Sequence, residues 1–218
     1  MDIRKHLEFF NPLELDEEIH VIGVGAIGSN IATQLARLGI NKIHIWDFDI
    51  VNEHNITNQI FTSEDVGKPK VEAVKDYLLK INPNIKVITH KKYGNQPLKG
   101  FIFSCVDSME TRHRIAEMHQ YNRFIKLVID TRIGLERGQV FTTNWRDEER
   151  VSNYIAMCDF KDSEDETPVS ACGTTLSIAP TILVTTAYAI AEFINFIRTG
   201  KHHNQISFDS FAMKTRAV

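Results

Sequence analysis

The sequence predicts an α/β fold, a Rossmann-like and mostly parallel sheet flanked by helices with a C-terminal antiparallel extension. Three observations carry this. An apolar run from Ile19 to Ile22 leads straight into a glycine turn, apolar residues then recur at helical spacing, and strand and helix signals go on alternating through the first 130 residues.

Taken in order, Ile19-His20-Val21-Ile22-Gly23 reads as a short buried strand, and Ala26 to Leu38 as a helix closed by Gly39. Lys42-Ile43-His44-Ile45-Trp46-Asp47 alternates as a second strand and ends in acid. Strand, helix and strand on short connections predict a right-handed parallel unit. Pro69 opens a second helical stretch, with Val71, Val74, Tyr77, Leu78 and Ile81 on one spacing and Asn82-Pro83-Asn84 as its stop. Ile85 to Thr89 resumes as a strand. Phe101 to Val106 is another, followed by a helix from about Met109 to Tyr121 and a strand at Leu127-Val128-Ile129-Asp130.

The pattern then changes. Gly138 to Thr143 is a strand with no crossover helix before the next turn, so antiparallel additions are expected. Asp147 to Arg150 and Asp159 to Glu166 are strongly charged and read as a solvated connection. Leu176 to Ile197 has the length of a bilayer-spanning helix, roughly 20 residues. Pro180, Thr181, Thr185, Thr186, Glu192 and Asn195 interrupt it, so a helix buried in a core is expected and a membrane span is not. Ile206 to Val218 offers only an edge strand or docking tail.

At 218 residues the chain suits one domain. We divide it into an arm over 1–18, a nucleotide-binding core over 19–141, a crossover-like connection over 142–175, and a helix and tail over 176–218. A formal charge of -3 supplies no basic field, which argues against nucleic acid or an anionic membrane as partner. Met1 to His6 lacks the apolar core of a secretory signal, and three widely spaced cysteines make no disulfide framework, so a cytoplasmic location is expected.

Gly23-Val24-Gly25-Ala26-Ile27-Gly28 matches Gly-x-Gly-x-x-Gly between a strand and a helix, where Gly23, Gly25 and Gly28 permit a tight turn and bring phosphate to the helix N-terminus. Asp47, 24 residues after Gly23 at a strand end, is placed to accept hydrogen bonds from a ribose. These features suit a mononucleotide or a dinucleotide equally. Asp49, Asn55, Asn58 and Gln59 follow, and each alone is ordinary turn chemistry.

Taken together they say more. Asp47-Phe48-Asp49, Asn55-Ile56-Thr57-Asn58-Gln59, Val66-Gly67-Lys68-Pro69-Lys70, Ile81-Asn82-Pro83 and Val106-Asp107-Ser108 fall in the order and spacing of the ThiF, MoeB and ubiquitin-activating superfamily, which the chain resembles over most of residues 19 to 141. The resemblance implies ATP and Mg²⁺ as cofactors, with Gly23, Gly25, Gly28, Asp47, Asp49, Asn55, Asn58, Gln59 and Lys70 around the nucleotide. Lys70 would offset charge on the phosphates, and Asp107 would hold magnesium. From the residues alone, Asp107 reads equally as a cap for the helix near Met109.

Two positions depart from the family pattern, since Asn58 replaces its usual arginine and Ser108 its usual asparagine. In family dimers an N-terminal arginine reaches the partner's site, a role that would fall to Arg4. Cys172 resembles a crossover cysteine that in some members accepts the activated carboxylate. The paired Cys-x-x-Cys motifs that hold zinc in many members do not occur here, so no zinc is expected.

The resemblance therefore implies a homodimer that adenylates a carboxylate, most naturally the C-terminal glycine of a small ubiquitin-like or sulfur-carrier protein. The alternatives are an NAD-dependent oxidoreductase on the same glycine turn, or a family member that binds nucleotide or a partner without turnover.

Overall fold

We analysed a computed structural model of the chain, which describes residues 1–94, 96–159 and 176–218. In chain order the elements are β1 (Ile19–Ile22), α1 (Ala26–Arg37), β2 (Lys42–Trp46), α2 (Lys70–Ile81), β3 (Lys86–His90), β4 (Gly100–Ser104), α3 (Met109–Met118), β5 (Ile125–Ile133), β6 (Arg137–Asn144), α4 (Glu148–Cys158), α5 (Ala179–Thr199), β7 (Gln205–Asp209) and β8 (Lys214–Ala217). They form an eight-stranded sheet in the order β3-β2-β1-β4-β5-β6-β7-β8. β3, β2, β1, β4 and β5 run parallel, and β6, β7 and β8 are antiparallel additions.

Helices α1, α2 and α5 share one hydrophobic core with the sheet, and α3 and α4 share another. All four residues of β1 are buried, as expected of a parallel strand covered on both faces. On α1, Ile27, Ile31 and Leu35 recur at helical spacing and are buried. Phe193 of α5 is fully buried against the rings of Phe101 and Phe103 on β4, at centroid distances of 5.2 and 5.5 Å.

The polar residues that interrupt the apolar stretch are satisfied within the fold. Thr185 and Thr186 donate to the carbonyls of Thr181 and Ile182 at 2.8 and 2.9 Å. Buried Glu192 accepts from the backbone amide of His203 at 2.7 Å.

Two element boundaries differ from the sequence reading. Residues 147–150 are solvated but start a helix instead of a connection: the Asp147 side chain accepts from the Arg150 amide at 3.1 Å and caps α4, which buries Val151, Tyr154 and Cys158, while residues 160–166 of the second charged stretch lie outside the described residues. Of the two readings for residues 206–218, the edge strand is the one found: they lie in the β7–β8 hairpin at the sheet edge, with Ile206 and Phe208 turned inward. In addition, α3 ends at Met118, short of Tyr121.

The amino edge of the sheet is closed by charged and polar contacts. Glu18 meets Lys42 at 2.8 Å, Lys99 at 3.4 Å and His20 at 3.4 Å, and Glu17 pairs with Lys126. Beside them lies a cleft of about 670 Å³, lined in part by Leu13, Leu15, Ile40, Lys99 and Phe124.

Candidate active site

The site is built at the opposite edge, where the chain order of the sheet reverses. β1 is followed by α1 and β2 on one side and flanked by β4 on the other, so a crevice opens beyond the carboxyl ends of β1 and β4, the usual ligand position in open α/β sheets. The turn after β1 and the turn after β4 touch. A Cβ at Gly23, whose φ is +86°, would lie 2.6 Å from the carbonyl oxygen of Cys105. A Cβ at Gly28 would lie 1.8 Å from the carbonyl oxygen of Gly23. These two glycines are therefore required by packing.

Gly25 differs, because nothing lies within 4 Å of its Cβ position. It is the N-cap of α1, and no side chain caps that helix. The bare backbone and the amide groups of the first turn present a positive, open surface to an anion.

Asp47 follows β2 and braces the same turn. Its Oδ2 accepts from the Val24 amide and its Oδ1 from the Asp49 amide, both at 2.8 Å. Burial raises its pKa despite these two bonds and the nearby Lys70 charge. Each carboxylate oxygen keeps a further lone pair for a hydroxyl donor.

Lys70 is brought in by a short antiparallel return. The amide of Val51 donates to the Lys68 carbonyl, and that of Lys70 to the Asp49 carbonyl, both at 2.9 Å. The Lys70 side chain is 8% exposed, and its Nζ meets Oδ2 of the half-exposed Asp49 at 2.8 Å. A buried ammonium needs such a partner, and among the described residues its other two donor positions have none.

Asn55, Asn58 and Gln59 have different roles. Buried Asn55 accepts from the Asn52 amide at 2.9 Å and forms the loop's capping box. Asn58 donates from Nδ2 to Ser177 Oγ at 2.6 Å, tying this loop to the residues just before α5. Among the described residues, buried side-chain oxygens of Asn58 and Gln59 lack a hydrogen-bond partner. Each such group costs about 1–3 kcal/mol, which a donor from ligand or water relieves.

Asp107 is exposed beyond β4, and among the described residues its carboxylate makes no hydrogen bond or ion pair. The α3 cap is Ser108, which accepts from the Thr111 amide at 3.2 Å, so Asp107 is released from that duty. Magnesium takes one or two carboxylates and completes its shell with water and phosphate oxygens, which fits this free carboxylate beside a phosphate turn.

Arg4 and Cys172 are not brought to this cluster. Arg4 is 86% exposed and pairs with Asp2 at 2.7 Å. Its neighbour Ile3 packs at Gly39, past the far end of α1, a 12-residue helix of roughly 18 Å. Cys172 lies outside the described residues. Burial pushes the Cys105 thiol up to about 12, which suits a core residue and not a nucleophile.

Sequence reading missed a buried polar cluster behind Asp107. Arg112 ion-pairs with Asp130 and donates to the carbonyls of Val106 and, at 3.0 Å, Thr131. Arg132 donates from Nε to the other Asp130 oxygen at 2.8 Å. No local signal marks this pairing, since Arg112 and Asp130 lie 18 positions apart in the sequence.

Comparison with known proteins agrees with this architecture. A sequence profile described as ThiF family matches residues 15–218. Ubiquitin-like modifier-activating enzyme 5 of Caenorhabditis briggsae is 31% identical over 115 residues, covering 44% of this chain and 27% of that protein. The same-named protein of Drosophila willistoni is 34% identical over 119 residues, covering 46% and 29%. The matched stretch is thus under a third of these relatives.

The crystal structure of E. coli MccB with ATP superposes with a TM-score of 0.74 at 21% identity, over 99% of this chain and 70% of that one. The crystal structure of selenomethionine PaaA gives 0.73 at 21%, over 96% and 65%. At this identity the likeness is one of fold.

Proposed function

The chain belongs to the ThiF family, and on that footing we propose that it binds MgATP at the carboxyl edge of its sheet and adenylates a carboxylate. The observation that carries this reading is the convergence there of three features. They are the uncapped glycine turn, the buried Lys70 with open donor positions, and the free carboxylate of Asp107. The family and the free Asp107 favour this chemistry over hydride transfer.

A carboxylate oxygen of the acceptor attacks the α-phosphorus of ATP. The bond from that phosphorus to the bridging oxygen breaks, and pyrophosphate leaves with the electron pair. The first-turn amides of α1 and the Lys70 ammonium face the phosphates and offset charge as it develops, while Asp47 accepts from the ribose hydroxyls. Magnesium, held by Asp107, would supply Lewis-acid stabilisation of phosphate oxygens. The acceptor carboxylate is already ionised at neutral pH, so catalysis is mostly positioning and no general base is required.

For the acceptor we favour the C-terminal glycine of a small ubiquitin-like or sulfur-carrier protein, a reading supported by the names of the matched relatives. We place the reaction in the cytoplasm, in a homodimer where Arg4 serves the partner's site and Cys172 receives the activated carboxylate. The tie between Asn58 and Ser177, in place of a family arginine, motivates a second reading: a member that binds nucleotide without turnover.

The test is carrier-dependent exchange of labelled pyrophosphate into ATP. Exchange supports adenylation. ATP binding without exchange for any carrier supports the second reading.

A further inference from the structure

The Arg112 cluster has no assigned work in this scheme, yet it sits directly behind its metal-binding position. Arg112 lies in the first turns of α3 with a side chain 5% exposed, and Asp130, near the carboxyl end of β5, is fully buried. One guanidinium reaches three acceptors: an Asp130 carboxylate oxygen, the Val106 carbonyl and the Thr131 carbonyl. Val106 immediately precedes Asp107. Thr131 belongs to the neighbouring strand, and its hydroxyl returns to the carbonyl of Ser104, the last residue of β4, at 3.3 Å.

The ends of β4 and β5 are thus bridged by a single planar fork. A lysine cannot reproduce it, since an ammonium is a point donor without a fixed fan of N–H groups. Asp130 also accepts from Arg132, so two guanidinium ions share one carboxylate and one formal positive charge is left uncompensated among the three side chains. That charge lies behind the edge where an anionic ligand would bind.

We propose that Arg112 is the positioning residue for Asp107: it fixes the Val106 carbonyl, and through it the backbone that aims the Asp107 carboxylate at magnesium. This rests on the adenylation reading, and it concerns the orientation of the metal ligand, not contact with substrate. Groups that orient a metal ligand in this way typically shift metal affinity by about 10–100-fold when changed.

The experiment is calorimetric titration of ATP into the full chain at a series of Mg²⁺ concentrations and without Mg²⁺. Wild type, Arg112→Lys and Arg132→Lys are compared. Arg132→Lys perturbs the same carboxylate but has no contact with the Val106 carbonyl. We expect Arg112→Lys to raise the Mg²⁺ concentration for half-maximal tightening about tenfold, with ATP affinity in the absence of Mg²⁺ unchanged, and Arg132→Lys to leave the Mg²⁺ requirement in place.

Equal shifts in both variants, or none in Arg112→Lys against a normal wild-type response, would overturn the positioning role and leave the adenylation reading standing. Wild-type protein with no Mg²⁺-dependent ATP binding would overturn both. If Arg112→Lys does not fold, Arg112→Gln, whose amide keeps one donor, is measured for the same shift. Failure of both to fold would assign Arg112 to stability alone and reject the inference.

Discussion

The two edges of the sheet contrast in how their polar groups are used. At the amino edge Glu18 is shared by Lys42, Lys99 and His20, and Glu17 is held by Lys126. At the carboxyl edge Asp107 has no protein partner among the described residues, the α1 N-terminus has no side-chain cap, and buried oxygens of Asn58 and Gln59 lack partners. The 670 Å³ cleft nevertheless lies at the amino edge. Open space alone does not locate chemistry here. Unpaired buried atoms alone do not either, since Nε2 of His20 and of His44 beside Glu18 also lack hydrogen-bond partners among the described residues; what marks the carboxyl edge is their combination with a bare helix N-terminus and the unpaired Asp107 carboxylate.

The sharpest way to break this comparison is at the turn itself. Gly28→Ala would force a methyl against the Gly23 carbonyl, at 1.8 Å before relaxation, and is expected to remove ATP binding and destabilise the fold by about 3 kcal/mol. Chemical denaturation with ATP titration measures both, and an unaltered variant would mean that the turn is loosely built. Lys70→Ala strands Asp49 without its cation. It is expected to lower pyrophosphate exchange by about 10²–10³, and exchange within a factor of two of wild type would reject the role of Lys70.

Asp107→Ala separates function from stability. Because the carboxylate makes no protein contact among the described residues, its loss is expected to change unfolding free energy by less than about 0.5 kcal/mol. Exchange should still fall about a hundredfold. A large drop in stability would show that Asp107 is structural.

The smallest effect on exchange belongs to the amino edge, where the signature is acid sensitivity. Burial would raise Glu18, but the hydrogen bond from Lys42, the charges of His44 and Lys42, and Lys99 bring it from 4.5 to about 2. Its stabilisation is present above pH 4.5 and is lost as pH falls toward 2. Burial holds His20 and His44 at about 4 against an ordinary 6.5, so the folded state resists their protonation and loses stability as pH falls from 6.5 to 4.

Glu18→Gln should flatten the lower window and deepen the upper, since the Glu18 charge favours protonation of both histidines. Exchange at neutral pH should stay at the wild-type level. Urea midpoints across pH 2–7 test this, and a variant with the wild-type profile would remove Glu18 as the source.

Much of this layout is legible in the sequence because it is local. The glycine spacing, the acid at the end of β2 and the periodicity of α1 and α2 each report on neighbouring residues. What escaped depends on distant partners or on masked amphipathicity. Asp147 to Arg150 read as a connection because charge hides a helix start, although Val151, Tyr154 and Cys158 carry the helical spacing. The ion pair of Arg112 and Asp130 joins residues 18 apart, and neither has a local signature. Ser108, read as a departure from the family, is explained locally by its capping bond, whereas the bond from Asn58 to Ser177 spans 119 residues.

The pairing of Lys70 with Asp49 has one more consequence. Asp49 occupies the position of an anion at this side chain, holding the buried Lys70 Nζ oriented at 2.8 Å. A phosphate bound there as proposed would exchange one anion for another at a preset cation, with the half-exposed Asp49 released to water. On the adenylation reading, the strength of nucleotide capture at this lysine would be set by the difference between its carboxylate and phosphate partners, which would make Asp49 a dial on affinity.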